Sequence, residues 1–163
     1  MGSKQKILTG LVLLTLTLTI VACSSNSTNI SAPIRATWIE PQVAVDIVSI
    51  PLSEVENRMM THFKLATTDG DIAYMAYVVD GEIFVRANVC PPCRSIGFSL
   101  NDQTLICDTC RTTFKAKTGG GIVGACVDFP KAAVPYEISA GQLLMEGTDL
   151  LSAYQNTLNP GLP

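Results

Sequence analysis

The segment that decides the fold comprises residues 79–93 and reads VDGEIFVRANVCPPC. Its dipeptide Asp80-Gly81 lies between two apolar, β-prone runs. Asp-Gly in this setting predicts a β-hairpin, because glycine accepts a positive φ without strain. The second strand of the hairpin leads directly to Cys90-Pro91-Pro92-Cys93, so we expect the sheet to present a pair of thiols at that end.

Outward from this hairpin, the apolar patterning predicts an all-β domain. Strands are predicted at residues 43–50, 63–66, 72–79, 82–86, 104–106, 135–138 and 143–145. A helical turn is predicted at 52–60, and a C-terminal helix at 148–158 with Thr148 as its N-cap. The expected architecture is a small β-sandwich or barrel over residues 43–163, with the helix at its periphery.

A second C-x-x-C unit, Cys107-Asp108-Thr109-Cys110, follows the first after 13 intervening residues. Each unit can place two sulfurs on one ion or one cluster edge, because a tight turn brings the pair together. Two units therefore predict a four-thiolate site. The gap is slightly shorter than the roughly 15–20 residues usual in zinc ribbons, and spacing alone leaves zinc and iron–sulfur both open.

Three other uses of the cysteines compete with a metal site. Exported proteins form disulfides, and bridges between the two units are an alternative, although a bridge within one unit would close a very short loop. A thiol–disulfide oxidoreductase would need a helix after its first cysteine, and Arg94 to Gly97 predicts a loop. Cys126 is left as a possible additional ligand, a disulfide partner or a small buried thiol.

Composition excludes several classes of function. A formal charge of −3 with 15% charged residues rules out a nucleic-acid binder that relies on a basic surface. The single histidine, His62, rules out any site that needs two imidazoles from one chain, and we expect it to be a surface or packing residue. No acidic pair suggests acid–base work, so we expect the acidic residues to be solvated surface groups.

The first residues predict an export signal. Lys4 and Lys6 precede an apolar run at residues 7–22, which is too short for a permanent bilayer span of about 20 residues. The run ends Ala22-Cys23, which resembles the lipobox of bacterial lipoproteins. The resemblance implies cleavage after Ala22 and lipidation of Cys23. Residues 23–42 would be a flexible tether that holds the domain at the extracytoplasmic face of the membrane.

The residues around both C-x-x-C units resemble the two ligand loops of a Rieske domain. Residues 79–91 are similar to the entry into the first loop, and residues 105–114 to the second, where Cys-x-x-His precedes a phenylalanine. Here Cys110 stands in place of the second histidine, and Cys93 replaces the first histidine one residue later. The resemblance implies a Rieske-like β-domain with cysteines at the ligand loops.

A closer similarity, over about residues 43–158, is to the membrane-associated iron–sulfur FtrD-like family. The matching positions are Gly81, Cys90, Cys93, Gly97-Phe98, Cys107, Cys110, Phe114, Gly124 with Cys126, and Pro130. The resemblance implies an electron carrier beside a ferrous-iron permease in a bacterial iron-uptake system. This chain departs from the family in having Ala125 where a glycine is usual, and a lipobox in place of fused membrane helices.

The sequence thus predicts an exported, lipid-anchored, Rieske-like domain with two metal-ligand loops. Its expected cofactor is an iron–sulfur cluster, [2Fe–2S], bound by Cys90, Cys93, Cys107 and Cys110. Expected partners are the membrane and a redox partner or iron permease in the envelope, with no nucleic acid. The alternative is a structural four-cysteine zinc site, or a disulfide-stapled interaction module, without redox activity.

Overall fold

The computed structural model describes residues 32–161. The predicted signal peptide, Cys23 and the first part of the predicted tether lie outside these residues. The strands are β1 (Ile34–Arg35), β2 (Thr37–Trp38), β3 (Gln42–Ala44), β4 (Ile47–Pro51), β5 (Met60–Thr67), β6 (Gly70–Val79), β7 (Glu82–Ala87), β8 (Phe98–Asn101), β9 (Thr104–Cys107), β10 (Thr113–Lys115), β11 (Gly121–Val123), β12 (Glu137–Ser139) and β13 (Gln142–Glu146). The helices are α1 (Leu52–Arg58) and α2 (Gly147–Leu158).

The strands form three sheets. A meander sheet has the order β2-β5-β6-β7, a second sheet β12-β13-β4-β3, and a five-stranded sheet β1-β8-β9-β10-β11. Strands β2 and β5 run parallel, and the other paired strands of the described residues run antiparallel. The predicted all-β class with a short C-terminal helix is confirmed.

The predicted hairpin at Asp80-Gly81 is present and joins β6 to β7. Asp80 has φ 53° and Gly81 has φ 79°, so both central residues adopt the positive φ that a two-residue hairpin turn requires. The Ala140-Gly141 turn between β12 and β13 has the same form, with φ values of 48° and 75°. The residues of such a turn set the register of its two strands. The hairpin can therefore be predicted from a few neighbouring residues.

Strand β6 separates two hydrophobic cores. Its successive side chains alternate between the faces of the sheet, so Tyr74 and Ala76 pack in the first core and Met75 and Tyr77 in the second. The first core lies against β4, β13 and both helices. The second core contains Phe98, Phe114 and the buried cysteines Cys90, Cys107 and Cys126.

The structure corrects the predicted strand at residues 43–50. The chain turns at Val45-Asp46, where Val45 has φ 56°, so the segment is the hairpin β3–β4. No glycine marks this turn in the sequence, and the apolar alternation alone predicted one continuous strand.

The packed domain also begins earlier than residue 43. Within the described part of the predicted tether, β1 pairs with β8 and β2 pairs with β5. Both strands are only two residues long, so they have no sequence periodicity of their own. Their structure depends on partners far along the chain.

The predicted cap of the C-terminal helix is wrong. Glu146 is the N-cap residue, with extended backbone and no side-chain capping bond, and the helix begins at Gly147 rather than after Thr148. The helix follows β13 without a loop, and the Gly147 N–H donates to the Asp46 carbonyl at 2.7 Å. Neither helix of the described residues is long and apolar enough to cross a membrane.

Candidate metal centre

The two C-x-x-C units lie in turns of the same construction, which we call the first knuckle (residues 90–95) and the second knuckle (residues 107–112). In the first, the Cys90 N–H donates to the Ser95 carbonyl at 2.8 Å. In the second, the Cys107 N–H donates to the Thr112 carbonyl at 2.9 Å. Each knuckle is therefore closed by a hydrogen bond from its first cysteine to the fifth residue after it.

Each knuckle also contains an arginine in the left-handed region directly after its second cysteine. Arg94 has φ 58° and Arg111 has φ 62°. This conformation reverses the chain so that both cysteines of a knuckle face the same point. Sequence reasoning missed it, because arginine gives no hint of positive φ.

Hydrogen bonds hold the two knuckles together. The Asp108 N–H donates to the Gly97 carbonyl at 2.9 Å, and the Thr109 hydroxyl donates to Ser95 Oγ at 3.0 Å. The Ser99 hydroxyl donates to the Asp108 carboxylate at 2.6 Å. One of these bonds joins the two knuckles directly, and the other two fix the second knuckle to Gly97 and Ser99, which follow the first.

The structure brings together the four predicted ligand sulfurs, of Cys90, Cys93, Cys107 and Cys110. All four lie within 4.8 Å of one another, with Cys90–Cys110 at 4.0 Å and Cys93–Cys107 at 3.7 Å. A tetrahedral ion with metal–sulfur bonds of about 2.3 Å separates its sulfurs by about 3.8 Å. The donor set fits a shared inorganic centre of the kind that thiolates select, zinc or iron–sulfur, and the spacing is close to that around a single tetrahedral ion.

Burial of the four cysteines is graded. Cys90 and Cys107, the first cysteine of each knuckle, are fully buried in the second core. Cys93 and Cys110 are half-buried. One side of the four-sulfur set therefore faces the protein interior, and the other side approaches solvent.

Cys126 lies beside the set and outside it. Its side chain is buried, and its Sγ is 3.6 Å from that of Cys110. The Cys126 N–H donates to Thr112 Oγ1 at 3.2 Å, and the same hydroxyl lies 3.2 Å from Cys110 Sγ. All five cysteines of the described residues are unbridged thiols.

The thiols differ in how readily they ionise. Burial raises the pKa of Cys90 and of Cys107. Burial also opposes ionisation of Cys110, but hydrogen bonds from Thr112 and the neighbouring thiols outweigh it and lower the pKa to about 6. The solvent-side corner of the set therefore holds a thiolate most easily.

A lysine that sequence reasoning missed lies behind the cysteines. Lys131 is fully buried, and its Nζ donates to the carbonyl of Val89, the residue before Cys90, at 2.8 Å. The Nζ lies 4.5 Å from the centre of the Phe114 ring and 5.5 Å from that of Phe98. Burial lowers the pKa of Lys131 to about 8, against the opposing effect of the nearby cysteines.

The glycine-rich segment, residues 119–124, packs closely against neighbouring parts of the chain. A Cβ at Gly121 would lie 2.3 Å from the Val127 carbonyl oxygen, and one at Gly124 would lie 2.5 Å from Thr112 Oγ1. Residues 121–123 form β11, which pairs with β10. Gly124 thus sets the contact between this segment and the second knuckle.

His62 lies in β5, remote in sequence from the knuckles and not among the four clustered residues. It is buried, and its ring meets that of Trp38 edge-on at 5.0 Å. Burial lowers its pKa to about 4. His62 is therefore a packing residue, one of the two roles expected from the sequence.

Together these features define a β-domain in which two similar cysteine turns direct four sulfurs to one point. A family model described as "Membrane iron-sulfur containing protein FtrD-like" matches residues 55–156. The chain belongs to this membrane-associated iron–sulfur family, which confirms the resemblance seen in the sequence. A search of curated proteins found no match.

Two solved structures are similar to the chain. One is described as "Sphingomonas yanoikuyae B1 ferredoxin"; identity is 23%, 51% of this chain and 83% of that chain are covered, and the TM-score is 0.42. The other is described as "Complex of reduced oxygenase and oxidized ferredoxin in carbazole 1,9a-dioxygenase"; identity is 16%, 53% of this chain and 81% of that chain are covered, and the TM-score is 0.44.

Proposed function

We propose that the two knuckles bind a [2Fe–2S] cluster and that the protein is a one-electron carrier. The observation that carries this proposal is that two turns of the same construction bring four cysteine sulfurs together in a chain of an iron–sulfur family. The ligands would be Cys90, Cys93, Cys107 and Cys110. When bound, the cluster would accept and release single electrons.

The chain's own residues suit this function in two ways. The hydrogen bonds within and between the knuckles hold the ligand positions rigidly, so little rearrangement would accompany a change of charge. The graded burial leaves Cys93 and Cys110 towards solvent, where a redox partner can approach. Four thiolates also carry more negative charge than two thiolates and two imidazoles, so we expect a potential near the roughly −400 mV of plant-type ferredoxins.

Metal and sulfide analysis of the full chain, purified without oxygen, tests the proposal. We expect two irons and two acid-labile sulfides per chain, a visible absorption band that bleaches on reduction, and a paramagnetic reduced state. Colourless protein with one zinc per chain would overturn it. So would a protein without metal in which a thiol count finds the four cysteines oxidised in pairs.

A structural zinc site is the second candidate, and the sulfur spacing favours it. A two-iron cluster divides its four thiolates between two metals, which requires the two pairs to stand further apart than around a single ion. Here no two of the four sulfurs lie more than 4.8 Å apart. This is close to the sulfur–sulfur distance around a single tetrahedral ion. Such a site would be closed and redox-silent. One zinc without sulfide identifies it, and one iron without sulfide would indicate a mononuclear redox centre.

We propose further that Cys23 is lipidated and anchors the domain at the extracytoplasmic face, where it would serve a ferrous-iron permease. The lipobox-like Ala22-Cys23 and the family's membrane association support this. Cys23→Ala should abolish labelling by a fatty-acid analogue in a bacterial host and release the protein from the membrane fraction. Labelling that survives the substitution would contradict the anchor.

A further inference from the structure

The buried charge of the described residues is all positive. Lys131 and Arg86 are the formally charged side chains among the buried residues, and no aspartate or glutamate of residues 32–161 is buried with them. A buried charge is costly unless it is paired or fully hydrogen-bonded. The two cations meet this requirement differently.

The buried charge of Arg86 is compensated by hydrogen bonds to oxygen atoms. Its guanidinium donates to the Tyr77 hydroxyl and to the backbone carbonyls of Ala116, Lys117 and Lys131. These bonds hold residues 116–131 against the meander sheet. No negatively charged partner is needed to explain this residue.

Lys131 is not satisfied in the same way. Its ammonium has three donor positions. The Val89 carbonyl is its only hydrogen-bond acceptor within the described residues. Its other favourable contacts are cation–π interactions with two phenylalanine rings. None of the ion pairs in this part of the chain includes it. The groups whose ionised form would attract it are the cysteines, Cys90 and Cys107 first among them.

We propose that Lys131 is the built-in counter-charge of the metal centre. This inference rests on the proposed function only in requiring a tetrathiolate centre, whether zinc or iron–sulfur. Four thiolates around a divalent ion leave a net charge of −2, and around an oxidised [2Fe–2S] core they also leave −2. Reduction adds one more negative charge. A fixed cation held at the residue before the first ligand position therefore favours metal binding and, for a redox centre, favours the reduced form.

The backbone of Lys131 is fixed for this role. Its N–H donates to the Gly119 carbonyl at 2.9 Å, and its own carbonyl accepts from Arg86 Nη1 at 2.8 Å. The side chain then extends to the Val89 carbonyl next to the first ligand position. Lys131 is thus a positioning residue that acts through charge and touches no proposed ligand sulfur by hydrogen bond.

The test compares Lys131→Met with Lys115→Met in the full chain. Both variants remove one positive charge, but Lys115 is exposed on β10. Reduced, metal-free protein is titrated with Co²⁺, and the sulfur-to-cobalt charge-transfer band reports binding. We expect Lys131→Met to weaken Co²⁺ binding at least tenfold and Lys115→Met to change it less than twofold. In iron-loaded protein, Lys131→Met should shift the potential to a more negative value.

Metal-free stability separates a counter-charge from a merely structural role. Without metal, the buried thiols of Cys90 and Cys107 keep their protons, because burial raises their pKa, so the ammonium has little negative charge to balance. Lys131→Met should therefore melt at the same temperature as the wild type or higher. Equal Co²⁺ affinity of Lys131→Met and wild type would overturn the inference. Weaker binding accompanied by a large loss of metal-free stability would also overturn it. Lys131→Gln provides a second neutral variant if the methionine variant does not fold.

The same titration distinguishes failure of the inference from failure of the proposed function. A wild-type chain that develops no charge-transfer band has no tetrathiolate site, whatever Lys131 does. A wild-type chain that develops the band, together with an unaffected Lys131→Met, refutes the counter-charge alone.

Discussion

Thr112 connects three cysteines. Its carbonyl accepts the hydrogen bond that closes the second knuckle, and its hydroxyl lies within hydrogen-bond distance of both Cys110 Sγ and the Cys126 N–H. Burial opposes ionisation of Cys110, but its hydrogen bonds with Thr112 and with the thiols of Cys107 and Cys93 lower its pKa. Cys126, by contrast, is not one of the four clustered sulfurs, although its thiol contacts those of Cys110 and Cys90.

This difference predicts unequal effects of two conservative substitutions. Cys110→Ser should lose the bound metal, because a serine hydroxyl is a poor substitute for one of four thiolates. Cys126→Ser should retain most of it, since the remaining four sulfurs are unchanged. Metal content per chain after purification measures both. A Cys126→Ser protein without metal would mean that Cys126 belongs to the ligand set.

His62 makes stability depend on pH. Its folded-state pKa of about 4 lies below the ordinary value of 6.5, because burial disfavours the charged ring. The unfolded chain therefore binds a proton that the folded chain does not, and stability falls as pH decreases from about 6.5 towards 4. The loss at pH 5 is about 2 kcal/mol.

Denaturation of wild type and His62→Gln at pH 7 and pH 5 measures this contribution. Between these values, the wild type should lose about 2 kcal/mol more unfolding free energy than the variant. The carboxylates and the metal site are common to both proteins, so their own titration cancels in the comparison. Equal losses would show that the buried imidazole does not resist protonation.

At the scale of elements, the glycine-rich segment and the second knuckle form one contact. Gly124 has φ 125°, and a side chain there would meet both the hydroxyl and the Cα of Thr112. Gly124→Ala should therefore displace the knuckle, destabilise the fold by about 2 kcal/mol or more, and weaken metal binding. Thermal denaturation and Co²⁺ titration measure the two effects.

Gly120→Ala is the matched control. It lies in the same segment, but a Cβ there would meet nothing closer than Thr118 Oγ1 at 3.5 Å, an ordinary contact. Its stability should change by no more than about 0.5 kcal/mol. Equal losses of stability and of Co²⁺ binding in both variants would show that the contact between Gly124 and Thr112 does not stabilise the second knuckle.

Sequence reasoning succeeded for elements whose determinants are local. The Asp80-Gly81 and Ala140-Gly141 turns, the helical turn at α1 and the position of both knuckles follow from residues within a few positions of one another. It failed where a partner distant in sequence decides the structure, as for β1, β2 and the buried ammonium of Lys131. It also failed at Val45, because a β-branched residue rarely adopts a positive φ and its presence in the sequence does not indicate a turn.

At the scale of the whole molecule, the two cores have different sources of stability. The first is hydrophobic throughout and closes around α1, α2 and the meander sheet. The second includes three buried cysteines and the only buried lysine of the described residues. A metal ion bound by four thiolates would supply the negative charge that this buried ammonium lacks.

Stability should therefore depend on metal to a degree that the first core cannot account for. A ligand that binds only the folded state stabilises it by about 4 kcal/mol at a free concentration of 1,000 times its dissociation constant. We expect the unfolding temperature of reduced protein to rise with added Zn²⁺ or Co²⁺ and to fall again with a chelator. Cys110→Ser, which keeps both cores but lacks one ligand, should show almost no such rise. An equal rise in both proteins would mean that the metal acts elsewhere, and the two knuckles would then be turns that merely happen to bring four sulfurs together.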